Sequence, residues 1–296
     1  MVSGAAMAAE PGRDGATTAV KYQVAEAYDR VADAFADDPL TTPVARRLID
    51  FVGLTAGQRV LDIGCGRGAV LLQAAAVVGP TGRAVGVDLA PRMVEHTARD
   101  VAARGLAHVE VRLADGEHLD ESPRSYDVVL ASMVMHAMDD PAGALRAYRT
   151  LLRPGGRVGI AEFAGADERW AAAMSVLAQF IDPQALPRQT AMPAGAVLLS
   201  STQGVLDALG EAGFGEAEVV EVTQEVPFDS PRQWWEWTER HGVASFVALI
   251  PDARRVAAED AVSRELDALR DADGRLVYRL PIRLARATAP IAGTTT

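Results

Sequence analysis

Between positions 58 and 163 the chain alternates short apolar runs with longer amphipathic stretches. Residues 60–63, 84–87, 109–113, 126–131 and 157–163 are the runs. Residues 69–78, 91–104 and 141–152 carry apolar side chains at helical spacing. Pro91 and Pro141 open two of these helices, where a missing N–H costs nothing. The run 126–131 is almost continuously apolar, as suits a strand covered on both faces. This alternation predicts an α/β fold with a parallel sheet between two layers of helices.

The flanks break the rhythm. Residues 20–36 have helical spacing, and Pro43 leads a second helix over 44–52. Residues 166–200 look helical but are cut by Pro183, Pro187 and Pro193. A helix over 202–213 ends at glycine, 216–226 alternates as a strand, 231–272 is mostly helical, and 275–287 alternates again. The expected division is a disordered 1–18 and N-terminal lid helices over 19–57. A core over 58–165 follows, then a helical lid insertion over 166–200. A core helix and strand fill 201–228, a second helical lid 229–274, and a final strand region 275–290.

Composition narrows the field. The chain has 296 residues, 49% of them apolar, enough for one large core. Its net charge of −11 disfavours nucleic acid as a partner, since such binders carry a basic face. Lys21 is the only lysine and Cys65 the only cysteine, which rules out an internal disulfide and fits a reducing compartment. No apolar run is long enough to span a membrane, and the first residues have no signal-peptide pattern. A cytoplasmic protein, monomer or homodimer, is expected.

The chemistry concentrates in V-L-D-I-G-C-G-R-G, residues 60–68, a strand running into glycines at 64, 66 and 68. Such a turn exposes backbone N–H groups at a helix N-terminus, which favours an anionic group. Asp88 ends the next strand, placed to accept from ribose hydroxyls. Two cofactors compete, because Gly64-x-Gly66-x-x-Ala69 also satisfies the relaxed dinucleotide fingerprint. Asp62 beneath the turn would repel a pyrophosphate and attract the cationic methionine end of S-adenosylmethionine. Asp115, after the third strand, can accept from an adenine amino group.

V-L-D-I-G-C-G-R-G, V-G-V-D-L-A-P-R-M-V, A-D-G-E-H-L, Y-D-V-V-L-A-S and L-L-R-P-G-G-R-V stand in the order found in class I S-adenosylmethionine-dependent methyltransferases. Over residues 20–165 the chain resembles the ubiquinone/menaquinone-biosynthesis type and its actinobacterial small-molecule relatives. The resemblance implies a Rossmann-like seven-stranded sheet whose last strand is antiparallel, with 216–226 and 275–287 as its last two strands. It implies that Asp62, Gly64, Cys65, Gly66 and Gly68 hold the methionine end. Asp88 and Leu89 would hold the ribose, and Asp115, Gly116 and Glu117 the adenine. Ala131 and Ser132 would line the pocket, and Tyr28 would close over the cofactor.

Methyl transfer chiefly needs alignment of donor and acceptor, and a base only where the acceptor loses a proton. His136, after the fourth strand, is the first candidate and His241 the second. His96, His108 and His118 are expected at the surface or rim. No zinc-ligand spacing occurs, and Asp139-Asp140 before Pro141 suits a helix cap better than a metal. Trp170, Met174, Phe180, Met192, Trp234, Trp237 and Phe246 are expected to wall a chamber for a small, largely hydrophobic methyl acceptor. O-methylation is favoured over N- or C-methylation. A cofactor-binding cyclase or accessory protein is the alternative. An NAD(P)-dependent oxidoreductase is disfavoured by Asp62 and by the lack of a Tyr-x-x-x-Lys set.

Overall fold

The computed structural model describes residues 20–35, 38–182, 194–241 and 247–291. Expectations for residues 1–18, Met192 and Phe246 lie outside them. Seven strands form one sheet: β1 (Arg59–Ile63), β2 (Arg83–Asp88), β3 (Val109–Leu113), β4 (Tyr126–Ser132), β5 (Leu152–Phe163), β6 (Gly215–Phe228) and β7 (Leu276–Thr288). Their order is β3-β2-β1-β4-β5-β7-β6. The first five are mutually parallel, while β7 runs antiparallel between β5 and β6. The chain's direction of travel through the sheet reverses at β1, which lies between β2 and β4. Loops diverge there and leave a crevice at the carboxyl edge.

Successive residues of β4 serve opposite faces, as a strand's two-residue period demands. Val128 and Leu130 meet Leu48 and Val52 of α2 (Thr41–Val52) and Leu71 and Ala74 of α3 (Leu71–Val78). Val129 and Ala131 meet Leu145 and Tyr148 of α5 (Pro141–Leu151) and Leu209 of α8 (Thr202–Glu211). The helix α4 (Pro91–Ala103) leans on β2 and β3. The segment 19–57 therefore divides. Its second helix covers the sheet, while α1 (Val20–Val31), Phe35 after a 3-10 turn (Ala32–Ala34), and the stretch from Asp38 into the start of α2 border the crevice.

The hairpin β6–β7 has strands of 14 and 13 residues, against 5 to 7 for β1 to β4. The surplus projects past the sheet and carries a second layer: α6 (Ala171–Ala178), α9 (Pro231–Thr238) and α10 (Asp252–Asp267). Trp170, Leu177, Phe228, Trp234, Val262 and Leu276 are buried together there. Helix α7 (Ala194–Leu198) sits near α5. Strand β5 begins five residues before its expected start at 157, because Leu152 already pairs with Tyr126 before a register shift. No helix among the described residues is long and apolar enough to cross a membrane.

Candidate active site

A cavity of about 710 Å³ opens at the carboxyl edge between the sheet, α1 and α9. Its floor at one end is the glycine turn. Gly64, Gly66 and Gly68 all have positive φ, at 66°, 49° and 82°. Gly66 is pinned from two sides: its N–H donates to Asp88 Oδ2 at 2.8 Å, and its carbonyl accepts from Thr97 Oγ1 at 2.7 Å. A Cβ there would meet no atom within 4 Å, so the space above is open to a ligand. A Cβ on Gly64 would fall 2.5 Å from Val134 Cγ2, in the loop after β4. Glycine at 64 thus lets the two switch-point loops touch.

Below the turn lies Asp62, 1% exposed, with no hydrogen-bond partner for either carboxylate oxygen among the described residues. Burial, reinforced by the charge of Asp88, raises its pKa well above the usual carboxylate range. Such a group calls for a cation or a proton. Asp88 accepts from Gly66 and Ala90 N–H groups, and burial raises its pKa too, against the pull of those donors. Cys65 is buried, and burial pushes its thiol well above its ordinary value, so it is no thiolate nucleophile. An orphaned buried carboxylate, open space over Gly66 and a second carboxylate at a strand tip fit a zwitterionic nucleoside whose methionine end carries positive charge.

At the far rim, Lys21 of α1 donates to Asp115 Oδ2 at 2.7 Å and Glu117 Oε2 at 2.9 Å. Asp139 stands 4.0 Å away. Burial would lower the Lys21 pKa, but the two carboxylates outweigh it and raise it. The same ammonium helps hold the Asp115 carboxyl below its usual range against burial. Further along α1, Arg92 bonds Asp29 and Asp33, and Arg67 of the glycine turn donates to Ala32 O at 2.7 Å.

The opposite end of the cavity is apolar and aromatic: Phe35, Met133, Phe163, Trp237, Tyr278 and Leu280. His136 stands among them in a 3-10 turn after β4. Its Nδ1 lies 2.9 Å from Glu162 Oε2, and Glu162 Oε1 accepts from the Met135 and His136 N–H groups at 2.8 and 3.3 Å. Among the described residues Nε2 has no hydrogen-bond partner, and the ring lines the cavity. Burial would lower the His136 pKa, but the adjacent carboxylate reverses this and raises it above 6.5. Met133, at φ 53°, turns the chain from β4 into this loop, a conformation that costs a non-glycine residue about 1–2 kcal/mol.

The expected cofactor residues Tyr28, Asp62, Gly64, Cys65, Gly66, Gly68, Asp88, Leu89, Asp115, Gly116, Glu117 and Ser132 all border this one cavity. Ala131 does not. It is fully buried on the α5 face, one residue out of phase. Among the described residues of the expected acceptor wall, only Trp237 lines the cavity. Trp170 and Trp234 are a correction: both are about 2% exposed and pack on each other with centroids 5.4 Å apart. Met174 packs against the same core, and Phe180 against it and the Arg254 guanidinium. His241 lines the cavity, but its Nδ1 faces the Trp237 carbonyl at 2.6 Å and its Nε2 the Asp38 carboxylate at 2.6 Å. That leaves no free nitrogen for a second base. Asp140 caps α5 by accepting from Gly143 N–H.

The wall residues Phe35, Met133, Phe163, Tyr278 and Leu280 escaped the sequence reading, and so did three charged contributors. Glu162 had a signal, a carboxylate near the end of an otherwise apolar strand. Lys21 had only its rarity, and Asp38 none, since its partners stand about 200 positions away.

This is the site and topology of a nucleoside-dependent group-transfer enzyme. A methyltransferase-domain family profile matches residues 54–203. The nocamycin O-methyltransferase of Saccharothrix syringae is 38% identical over 86% of this chain and 93% of its own length. The aklanonic acid methyltransferase of a Streptomyces species is 39% identical over 47% of this chain and 64% of its own. In fold, the [4+2]-cyclase SpnF superposes with a TM-score of 0.57 at 18% identity, covering 93% of this chain and 98% of that one. The chain belongs to the class I S-adenosyl-L-methionine-dependent methyltransferases.

Proposed function

We propose that the enzyme O-methylates a small, largely hydrophobic metabolite, with His136 as general base and Glu162 as the residue that orients it. The observation that carries this is the buried Glu162 bonded to Nδ1 of a histidine whose Nε2 has no partner among the described residues. When bound, S-adenosyl-L-methionine supplies a sulfonium methyl with a neutral thioether as leaving group. Asp62 and the turn Gly64, Cys65, Gly66 and Gly68 hold its methionine end, Asp88 and Leu89 the ribose, and Asp115, Gly116 and Glu117 the adenine rim. Tyr28 and Ser132 flank the centre of the cavity.

Glu162 accepts the Nδ1 proton and so keeps Nε2 as the basic nitrogen. His136 takes the acceptor hydroxyl's proton at Nε2 as the oxygen gains its methyl, and Glu162 stabilises the imidazolium that results. Phe35, Met133, Phe163, Trp237, Tyr278 and Leu280 exclude water and select an apolar acceptor. The name of the nocamycin relative, an O-methyltransferase, supports oxygen as the acceptor atom.

The test uses a panel of phenols, enols and aliphatic alcohols, scored by S-adenosylhomocysteine formation. With an accepted substrate, His136→Ala should lower kcat roughly 10²–10⁴-fold while cofactor affinity holds. The base works only when neutral, and Glu162 raises its pKa. Rate should therefore climb with pH through a midpoint above 6.5. Glu162→Gln should move that midpoint down. A His136→Ala enzyme at full rate would sink the base role. Tight cofactor binding with no S-adenosylhomocysteine from any acceptor would sink the transfer itself.

A further inference from the structure

Asp38 lies in the loop before α2, 5% exposed, and ties together parts of the roof that are distant in sequence. Its Oδ1 accepts from the Leu40 and Thr41 N–H groups at 3.0 and 2.8 Å, which fixes the loop. Its Oδ2 accepts from Trp237 Nε1 at 2.9 Å and stands 2.6 Å from His241 Nε2. The latter contact is off the hydrogen-bond direction and acts as an ion pair. With the Trp237 carbonyl 2.6 Å from Nδ1, both ring nitrogens face oxygen atoms. Burial would raise the Asp38 pKa, but the histidine beside it holds it below its usual range.

The ring carries the joint further. His241 stacks on Trp237 with centroids 4.0 Å apart and planes 21° apart. Phe35 approaches His241 at 5.0 Å, and Tyr28 meets Phe35 edge-on at 5.5 Å. All four rings line the cavity, so the row runs from α1 to the end of α9 along its roof. The N-terminal roof is otherwise tied to the cofactor half, by Lys21, Arg92, Arg67 and a small apolar cluster of Ala32, Ala90 and Met93.

We propose that Asp38 and His241 are positioning residues. Their ion pair locks the N-terminal roof to the C-terminal roof over the bound cofactor and sets how fast S-adenosylhomocysteine leaves. The pair touches no reacting atom; it acts through Tyr28, Phe35 and Trp237, which it holds in place. This rests on the cofactor occupying this cavity and not on His136 as a base. Lid opening governs turnover in many enzymes, and truncating one side of a buried charge pair acts mainly on the off-rate.

Stopped-flow release of S-adenosylhomocysteine from the full chain tests it. Asp38→Asn and His241→Gln should each speed release on the order of tenfold, and the double variant should be no faster than either. His241→Gln leaves the Oδ1 bonds to Leu40 and Thr41 intact, so it separates the joint from the folding of α2. Release at the wild-type rate in His241→Gln, or additive effects in the double variant, overturns the proposal. Hydrogen exchange on the wild-type protein tests it without any variant. S-adenosylhomocysteine should slow exchange in 28–35 and in 231–241 by similar factors, and protection of only one of the two segments refutes a shared joint.

Discussion

The two ends of the cavity are built in different ways. The cofactor end is made by loops that follow β1, β2 and β3, and its parts lie within a few dozen residues of one another. Gly66, Asp88 and Thr97 interlock through backbone groups, so the shape follows from local chain geometry. The acceptor end is assembled from α1, the loop at Asp38, β5, α9 and β7. Its defining contact, Trp237 to Asp38, joins positions 199 apart. One end is specified by residue type at fixed spacing. The other depends on which side chains a whole fold happens to bring together, and there specificity has room to vary without disturbing the turn.

The contrast can be broken most forcefully at Trp234. If it is a packing residue, Trp234→Ala should cost about 3–5 kcal/mol of stability by chemical denaturation. The folded fraction should keep its cofactor affinity and acceptor KM. A raised KM with unchanged stability would return Trp234 to the acceptor wall. Next in size is Asp88→Ala. Loss of its hydrogen bonds to the proposed ribose should weaken S-adenosylmethionine binding by about 1.5–3 kcal/mol in calorimetry. Acceptor KM at saturating cofactor should hold, and a shift there instead would mean the two ends are not independent. The smallest effect belongs to Lys21→Met. It removes the bridges to Asp115 and Glu117 at the cavity rim and should speed S-adenosylhomocysteine release by no more than about fivefold. The wild-type rate should rise with salt towards that of the variant.

The sheet was legible because burial on two faces leaves a plain signature. Continuous apolar strands, glycine-ended helices and proline-led helices gave β1 to β5 in order. The long hairpin β6–β7 was foreseen as two strands, though its overhang was not, since nothing local tells a strand where its sheet ends. That the glycine turn and the carboxylates at 62, 88 and 115 would meet at one cavity was legible, because a turn at positive φ and strand tips at one sheet edge demand particular residues at fixed spacing. The tryptophans misled for a physical reason. An indole is equally suited to fill a core or wall a pocket, and helical spacing cannot say which. Trp170 and Trp234 went to the core, while Trp237, three positions on, turned to the cavity. Glu162 was overlooked because a carboxylate at a strand end looks solvated until the loop after β4 folds over it.

Lys21 has a consequence beyond its bridge. It is the chain's single lysine, so the protein has one ε-amino group, and that group sits on the helix that closes the far rim of the cavity. Amine-directed reagents therefore have one side-chain target, shielded while α1 is down. Reductive methylation with isotope-labelled formaldehyde would place one magnetic label there. Its rate of incorporation would count the excursions of α1, with no engineered probe. A residue the composition nearly eliminates thus makes the molecule its own reporter.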